Sequence, residues 1–153
     1  MKKIAFLLSF VCLLTALSGC GGKKEADPQA LTEELLNSAG FSESLERLDD
    51  KVVPLLYGVE PEDYTAALVY GGAGGVTAEE IAVFTAADDA AADRLLSAMQ
   101  TRVADRVESF KTYFPSAVPT LEKAIVKKSG STVLLVVCSD SDAAAKIVNK
   151  YIG

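Results

Sequence analysis

The sequence predicts an α+β domain: a four-stranded, mainly antiparallel sheet built from two strand-strand-helix units, packed by helices, with further helices on its N-terminal side. Three observations carry that prediction. Between Asp88 and Phe114, apolar side chains recur every three or four residues, at Leu95, Met99, Val103, Val107, Phe110 and Phe114, the spacing of a helix with one apolar stripe. Val133 to Cys138 is apolar without interruption, as in a strand covered on both faces. The order strand, strand, helix occurs twice, with Asp89-Ala90-Ala91-Ala92 and Asp142-Ala143-Ala144-Ala145 just inside the two helices.

The elements follow in order. Leu31 to Ala39 reads as a helix, with Leu31 and Leu35 four apart and Gly40 as its stop. Phe41, Leu45 and Leu48 extend an apolar stripe at helical spacing. Asp49 or Asp50 suits the start of a short helix through Tyr57, ended by Gly58, with Pro54 tolerated in the first turn. Tyr64 to Tyr70 alternates as a strand, and Gly71-Gly72-Ala73-Gly74-Gly75 reads as the hairpin loop after it. Thr77-Ala78-Glu79-Glu80 matches a helix start, but Ile81, Val83, Phe84 and Thr85 favour a strand over Glu80 to Thr85. Pro115 ends the long helix. Leu121 to Lys127 and Thr132 to Cys138 read as strands joined by a tight Ser129-Gly130-Ser131 turn. Ser139 to Asp142 caps a last helix bearing Ile147, Val148 and Tyr151.

In front of the domain stands a different kind of segment. Lys2 and Lys3 precede an apolar run from Ile4 to Leu17, too short for the ~20 residues of a spanning helix. Leu17-Ser18-Gly19-Cys20 then supplies small residues and a cysteine. An ordinary secretory signal cut near Ala16 would not require that cysteine. The segment resembles a lipoprotein signal, which implies cleavage before Cys20 and a diacylglyceryl thioether on it, with acyl chains such as palmitate. Two or three long chains hold a protein durably, because each buried CH₂ contributes about 0.8 kcal/mol. The chain therefore divides into a signal peptide (1–19), a lipid anchor and short tether (20–28), and one α+β domain (29–153). Gly21 to Pro28, fully extended, spans roughly 26–29 Å.

Composition limits the chemistry. The net charge is −6, and loss of Lys2 and Lys3 makes the mature chain more acidic still. Such a chain is a poor ligand for nucleic acid, where phosphate neutralisation dominates affinity. There is no histidine, which excludes Ser-His-Asp and Cys-His catalysis and histidine-ligated zinc. Cys12 leaves with the signal and Cys20 is committed to lipid, so Cys138 has no disulfide partner in the mature chain; in its apolar run it reads as a small core residue.

The remaining candidates each have a plain structural reading. Gly71, Gly72, Gly74 and Gly75 could bring backbone N–H groups to an anionic ligand, but they lack the Gly-Lys-Ser/Thr ending of a phosphate loop and read first as a hairpin loop. Glu79 and Glu80 alternate to opposite faces and read as a solvated strand end, not a pair converging on one bond. Asp140 and Asp142 lack the other oxygen ligands of a calcium loop and read as helix caps. Arg102 and Arg106, one helical turn apart, could grip an anion or line a solvated face. The Leu95-to-Phe114 stripe reads as core before partner groove.

Together, Leu56-Tyr57-Gly58, Ala78-Glu79-Glu80-Ile81-Ala82-Val83-Phe84, the helix ending at Tyr113-Phe114-Pro115 and the Val133-to-Asp140 strand and cap resemble a family of small bacterial lipoproteins with a domain of unknown function. The resemblance covers roughly Leu31 to Gly153. It implies no assigned activity and no catalytic residues.

The expectation is a membrane-anchored bacterial envelope lipoprotein on the extracytoplasmic face, with a non-catalytic protein-interaction or accessory domain. Its partners are the membrane, through lipid, and an envelope protein; no cofactor is expected beyond the diacylglycerol on Cys20. The alternative is a small-ligand binding module using the glycine-rich loop 71–75.

Overall fold

The computed structural model describes residues 26–72 and 77–153. Cys20, the signal, most of the tether, Gly74 and Gly75 lie outside them. The described residues form an α+β fold in which helices cover both faces of a five-stranded antiparallel sheet.

Helix α1 runs Pro28–Ser38, so it begins inside the stretch assigned to the tether. Asp27 starts it there: its carboxylate accepts from the N–H groups of Gln29 and Ala30, and Pro28 occupies the first turn. Gly40, at φ +68°, turns the chain out of the helix. Phe41, Leu45 and Leu48 do not continue a helix. Leu45–Arg47 is a short edge strand, β1, and it makes the sheet five-stranded instead of four-stranded. Its partner is the glycine end of β2 (Tyr64–Gly72), with Leu45 opposite Gly72 and Arg47 opposite Tyr70. Three residues are too few for a period of two to be told from helical spacing.

Helix α2 (Val53–Tyr57) carries Pro54 in its first turn and ends at Gly58 in the left-handed region, at φ +64°. No side chain caps it; Asp49 instead accepts from the N–H of Lys51, ahead of the helix. Strand β3 (Glu80–Ala86) follows β2, and helix α3 (Asp89–Tyr113) follows β3, capped by Asp88 through the N–H of Ala91. The strand read at Leu121 to Lys127 starts later. Val118–Leu121 is a helical turn, α4, with Pro119 in it, and β4 is Ile125–Ser129. Gly130 at φ +57° makes the turn into β5 (Thr132–Val137), and α5 (Ser141–Ile152) closes the chain under the cap of Asp140.

The strand order is β1-β2-β3-β5-β4. Two cores lie on its two sides. Ala82, Phe84, Val133, Leu135 and Val137 face α3 and α2, with Tyr57, Leu95 and Met99. Ile81, Val83, Leu134 and Val136 face α1 and α5, with Leu31, Leu35, Ile147 and Val148. The central strands are therefore buried on both faces, as the apolar run from Val133 predicts. The long and final helices lie on opposite faces, not together over one. Two antiparallel strands exchanged by a rotation keep their faces, so the two strand-strand-helix units have opposite hands and no rotation superposes them. The caps agree. Asp88 and Asp140 bond three residues ahead, to Ala91 and Ala143, which puts the shared Asp-Ala-Ala-Ala tetrapeptides one position out of register.

Helices α1 and α5 run antiparallel. Gly40, just past α1, abuts Asp140 at the start of α5. Glu34 of α1 accepts from Lys150 Nζ (2.6 Å) and the Tyr151 hydroxyl (2.8 Å) near the end of α5.

Candidate functional site

The polar residues of the fold concentrate where β3 begins and β5 ends. Glu79 and Glu80 stand there back to back. Alternation sends them to opposite faces, as the sequence predicts, but neither is a solvated strand end: they are 4% and 3% exposed. Each carboxylate is enclosed by donors from other elements.

Glu80 points toward α3, on the face of Phe84. Arg102 grips it side-on, Nε to Oε1 at 2.7 Å and Nη2 to Oε2 at 2.6 Å. Arg106 donates from Nη1 to Oε2 at 2.8 Å, and the Tyr57 hydroxyl donates to Oε1. The arginines also reach backbone carbonyls: Arg102 bonds Leu56 (3.1 Å), and Arg106 bonds Ala78 (3.1 Å) and Thr77 (2.8 Å). Aromatic rings support both guanidiniums, Tyr57 4.8 Å from that of Arg102 and Phe110 5.2 Å from that of Arg106. Burial first, and the Glu80 charge second, push the Tyr57 hydroxyl well above its ordinary value, so it serves as a donor. Burial opposes the charge of Arg102, but its bonds to Glu80 outweigh this and raise its pKa. For Arg106 burial wins over the attraction of Glu80, and its pKa is lowered.

Glu79 points to the other face and has an all-serine shell. Ser42 donates to Oε2 from both N and Oγ, at 2.7 Å each. Ser139 donates to Oε1 from N at 3.0 Å and from Oγ at 2.5 Å. Burial pushes this carboxyl up, but the four serine bonds outweigh it and hold its pKa below the ordinary carboxylate value. One carboxylate thus ties the loop after α1 to the loop before α5.

The other sequence candidates separate from this cluster. Arg102 and Arg106 do grip an anion, but the anion is internal, and the side chains are only 14% and 17% exposed, not a solvated face. Gly71 and Gly72 belong to β2, where Gly71 pairs with Glu46 and with Glu80. A side chain at Gly72 would collide with Thr77. Asp140 caps α5 and Asp142 lies in its first turn. Cys138 is buried, with its thiol on the Asp140 carbonyl at 3.3 Å; burial, then the charges of Glu79 and Asp140, push its pKa up to about 11. Leu95 and Met99 are core, while Tyr113 and Phe114 at the helix end are exposed.

Tyr57, Ser42 and Ser139 were not foreseen as site residues. A signal existed for the serines: Ser42-Glu43-Ser44 and Ser139-Asp140-Ser141 flank the two elements that Glu79 joins. Among the described residues no group of acidic or sulfur side chains is arranged to hold a metal ion, and no helix is long and apolar enough to cross a membrane.

No curated protein and no solved structure matches the chain. The family model for a domain of unknown function, DUF4358, matches residues 37–138, from the end of α1 to the residue after β5. The matched span contains Glu79, Glu80, Tyr57, Arg102 and Arg106, and it covers well over half of the sequence. The chain belongs to the DUF4358 family.

Proposed function

We propose that this chain is a lipid-anchored protein of the bacterial envelope, held through Cys20 on the extracytoplasmic face, whose domain acts through protein contacts without a reaction of its own. One observation supports the non-catalytic part. The groups best suited to act on a substrate are already committed to the scaffold: Glu79 to Ser42 and Ser139, Glu80 to Tyr57, Arg102 and Arg106. General acid–base work needs a group within hydrogen-bond reach of a substrate proton, and these carboxylates are saturated from inside. The Leu17-Ser18-Gly19-Cys20 motif supports the anchor.

Two measurements test the two halves. Mass spectrometry of the mature N-terminus should find Cys20 first and diacylated, and Cys20→Ser should release the protein from the membrane fraction. Cross-linking in intact cells should then join the lipidated chain to one specific envelope protein. A chain that stays monomeric under every cross-linking condition would defeat the interaction reading while leaving the anchor intact.

A further inference from the structure

We propose that the Arg102–Arg106 cluster binds a small oxyanion, phosphate or carboxylate, at its solvent-facing edge, beside the internal carboxylate of Glu80.

Two guanidiniums meet one carboxylate in a site that water barely enters, which leaves one positive charge in excess. The remaining acceptors are the neutral carbonyls of Leu56, Ala78 and Thr77. An ion taken out of water and incompletely paired is costly, so a second anion is favoured there. The groups whose charge bears on Arg106 are Glu80, Arg102 and Tyr57, and together they do not offset its burial.

Donor accounting points the same way. A guanidinium carries five N–H groups. The bonds described use three on Arg102 and three on Arg106, and Arg106 Nε takes part in none of them. No buried side-chain nitrogen lacks a partner among the described residues, so Arg106 Nε sits where solvent reaches it. The cluster is thus pre-positioned by Glu80 and by the rings of Tyr57 and Phe110, with N–H groups left over at its outer edge. Planar donors held in this way suit a carboxylate or a phosphate better than a spherical ion.

A lipid headgroup and a dissolved anion share this chemistry. The cluster lies at the end of the sheet away from the start of α1, where the tether joins. If Cys20 is the anchor, as proposed above, that placement favours the dissolved anion.

The test uses the full lipidated chain in neutral-detergent micelles, with sodium phosphate replacing sodium chloride at fixed ionic strength. The melting temperature should rise with phosphate and saturate as for one site. Arg106→Gln should abolish the rise. Arg94→Gln, at the Asp63 pair near the opposite end of the sheet, should keep it. If Arg106→Gln does not fold, the Arg106 Nε–H resonance of the wild type supplies the readout, and it should shift on phosphate titration. No saturable rise, a rise that survives Arg106→Gln, or an unmoved resonance overturns the site. Protection by phosphatidylglycerol vesicles without protection by phosphate overturns the dissolved-anion assignment. None of the phosphate outcomes depends on the N-terminus, so they stand apart from the mass measurement that tests the anchor.

Discussion

Glu80 and Glu79 are adjacent in sequence and solve the burial of a carboxylate by different means. Glu80 is neutralised by charge, so removing it strands two guanidiniums. Glu80→Ala should cost about 3–5 kcal/mol in denaturant unfolding, the usual penalty for one half of a buried ion pair. Tyr57→Phe leaves both arginines on Glu80 and should cost less, about 1.5–3 kcal/mol, for one hydrogen bond to a charged group. Glu79 is held by neutral donors, and its effect appears in the pH dependence. Its folded pKa lies below the unfolded value of about 4.3. A depressed carboxylate stabilises above the unfolded pKa and loses that contribution as pH falls through the folded one. Unfolding free energy should therefore drop below about pH 4.3 more steeply for the wild type than for Glu79→Gln. Equal slopes would mean that Ser42 and Ser139 do not hold the charged form. Part of this was legible. The alternation of Glu79 and Glu80 to opposite faces was read correctly, but their burial was not, although Glu80 shares a strand face with Ala82 and Phe84. Arg102 and Arg106 continue the Leu95–Met99 stripe at helical spacing as well as Val103 and Val107 do. A long side chain at such a position can turn either way, and only the location of β3 decides it.

At the scale of elements, the sequence was clear wherever a run was long or punctuated. Helix α3, strands β2, β3 and β5, the Asp140 cap and the stops at Gly40 and Gly58 all follow from periodicity and backbone chemistry. The miss at β1 has a different origin, because a three-residue edge strand is defined by its partner and not by its own pattern. Glycine positions give a sharp comparison. Both Gly40 and Gly58 have positive φ, but a side chain at Gly58 would meet open space while one at Gly40 would lie 3.0 Å from Asp140 Cβ. Gly58→Ala should cost about 1–2 kcal/mol, the backbone strain alone. Gly40→Ala should cost measurably more, since it also presses on the α5 cap. Equal melting temperatures for the two variants would show that the contact yields freely.

For the whole molecule, the matched family span and the folded unit differ. The match ends at Cys138, yet α5 supplies Ala144, Ile147, Val148 and Ile152 to the core over Ile81, Val83, Leu134 and Val136. A chain stopped after Ser139 should lose cooperative melting and bind a hydrophobic dye, as a compact state with loosened packing does. A sharp transition in that chain would show that the sheet stands without its second layer. Helix positions were legible, but the face each one takes was not. The repeated strand-strand-helix order suggested a like arrangement of the two halves, and only the three-dimensional path gives them opposite hands.

The strand order also sets a clock. β5 is a middle strand of the sheet but comes last of the five in the chain, and its partner β3 lies far upstream, Glu80 opposite Val137. Until that late segment arrives, β3 has an open inner edge and neither core can close. Such long-range pairing makes folding slow. A chain synthesised from its N-terminus therefore stays loose until nearly all of it is available, and a loose chain is the form that can be threaded through a narrow pore.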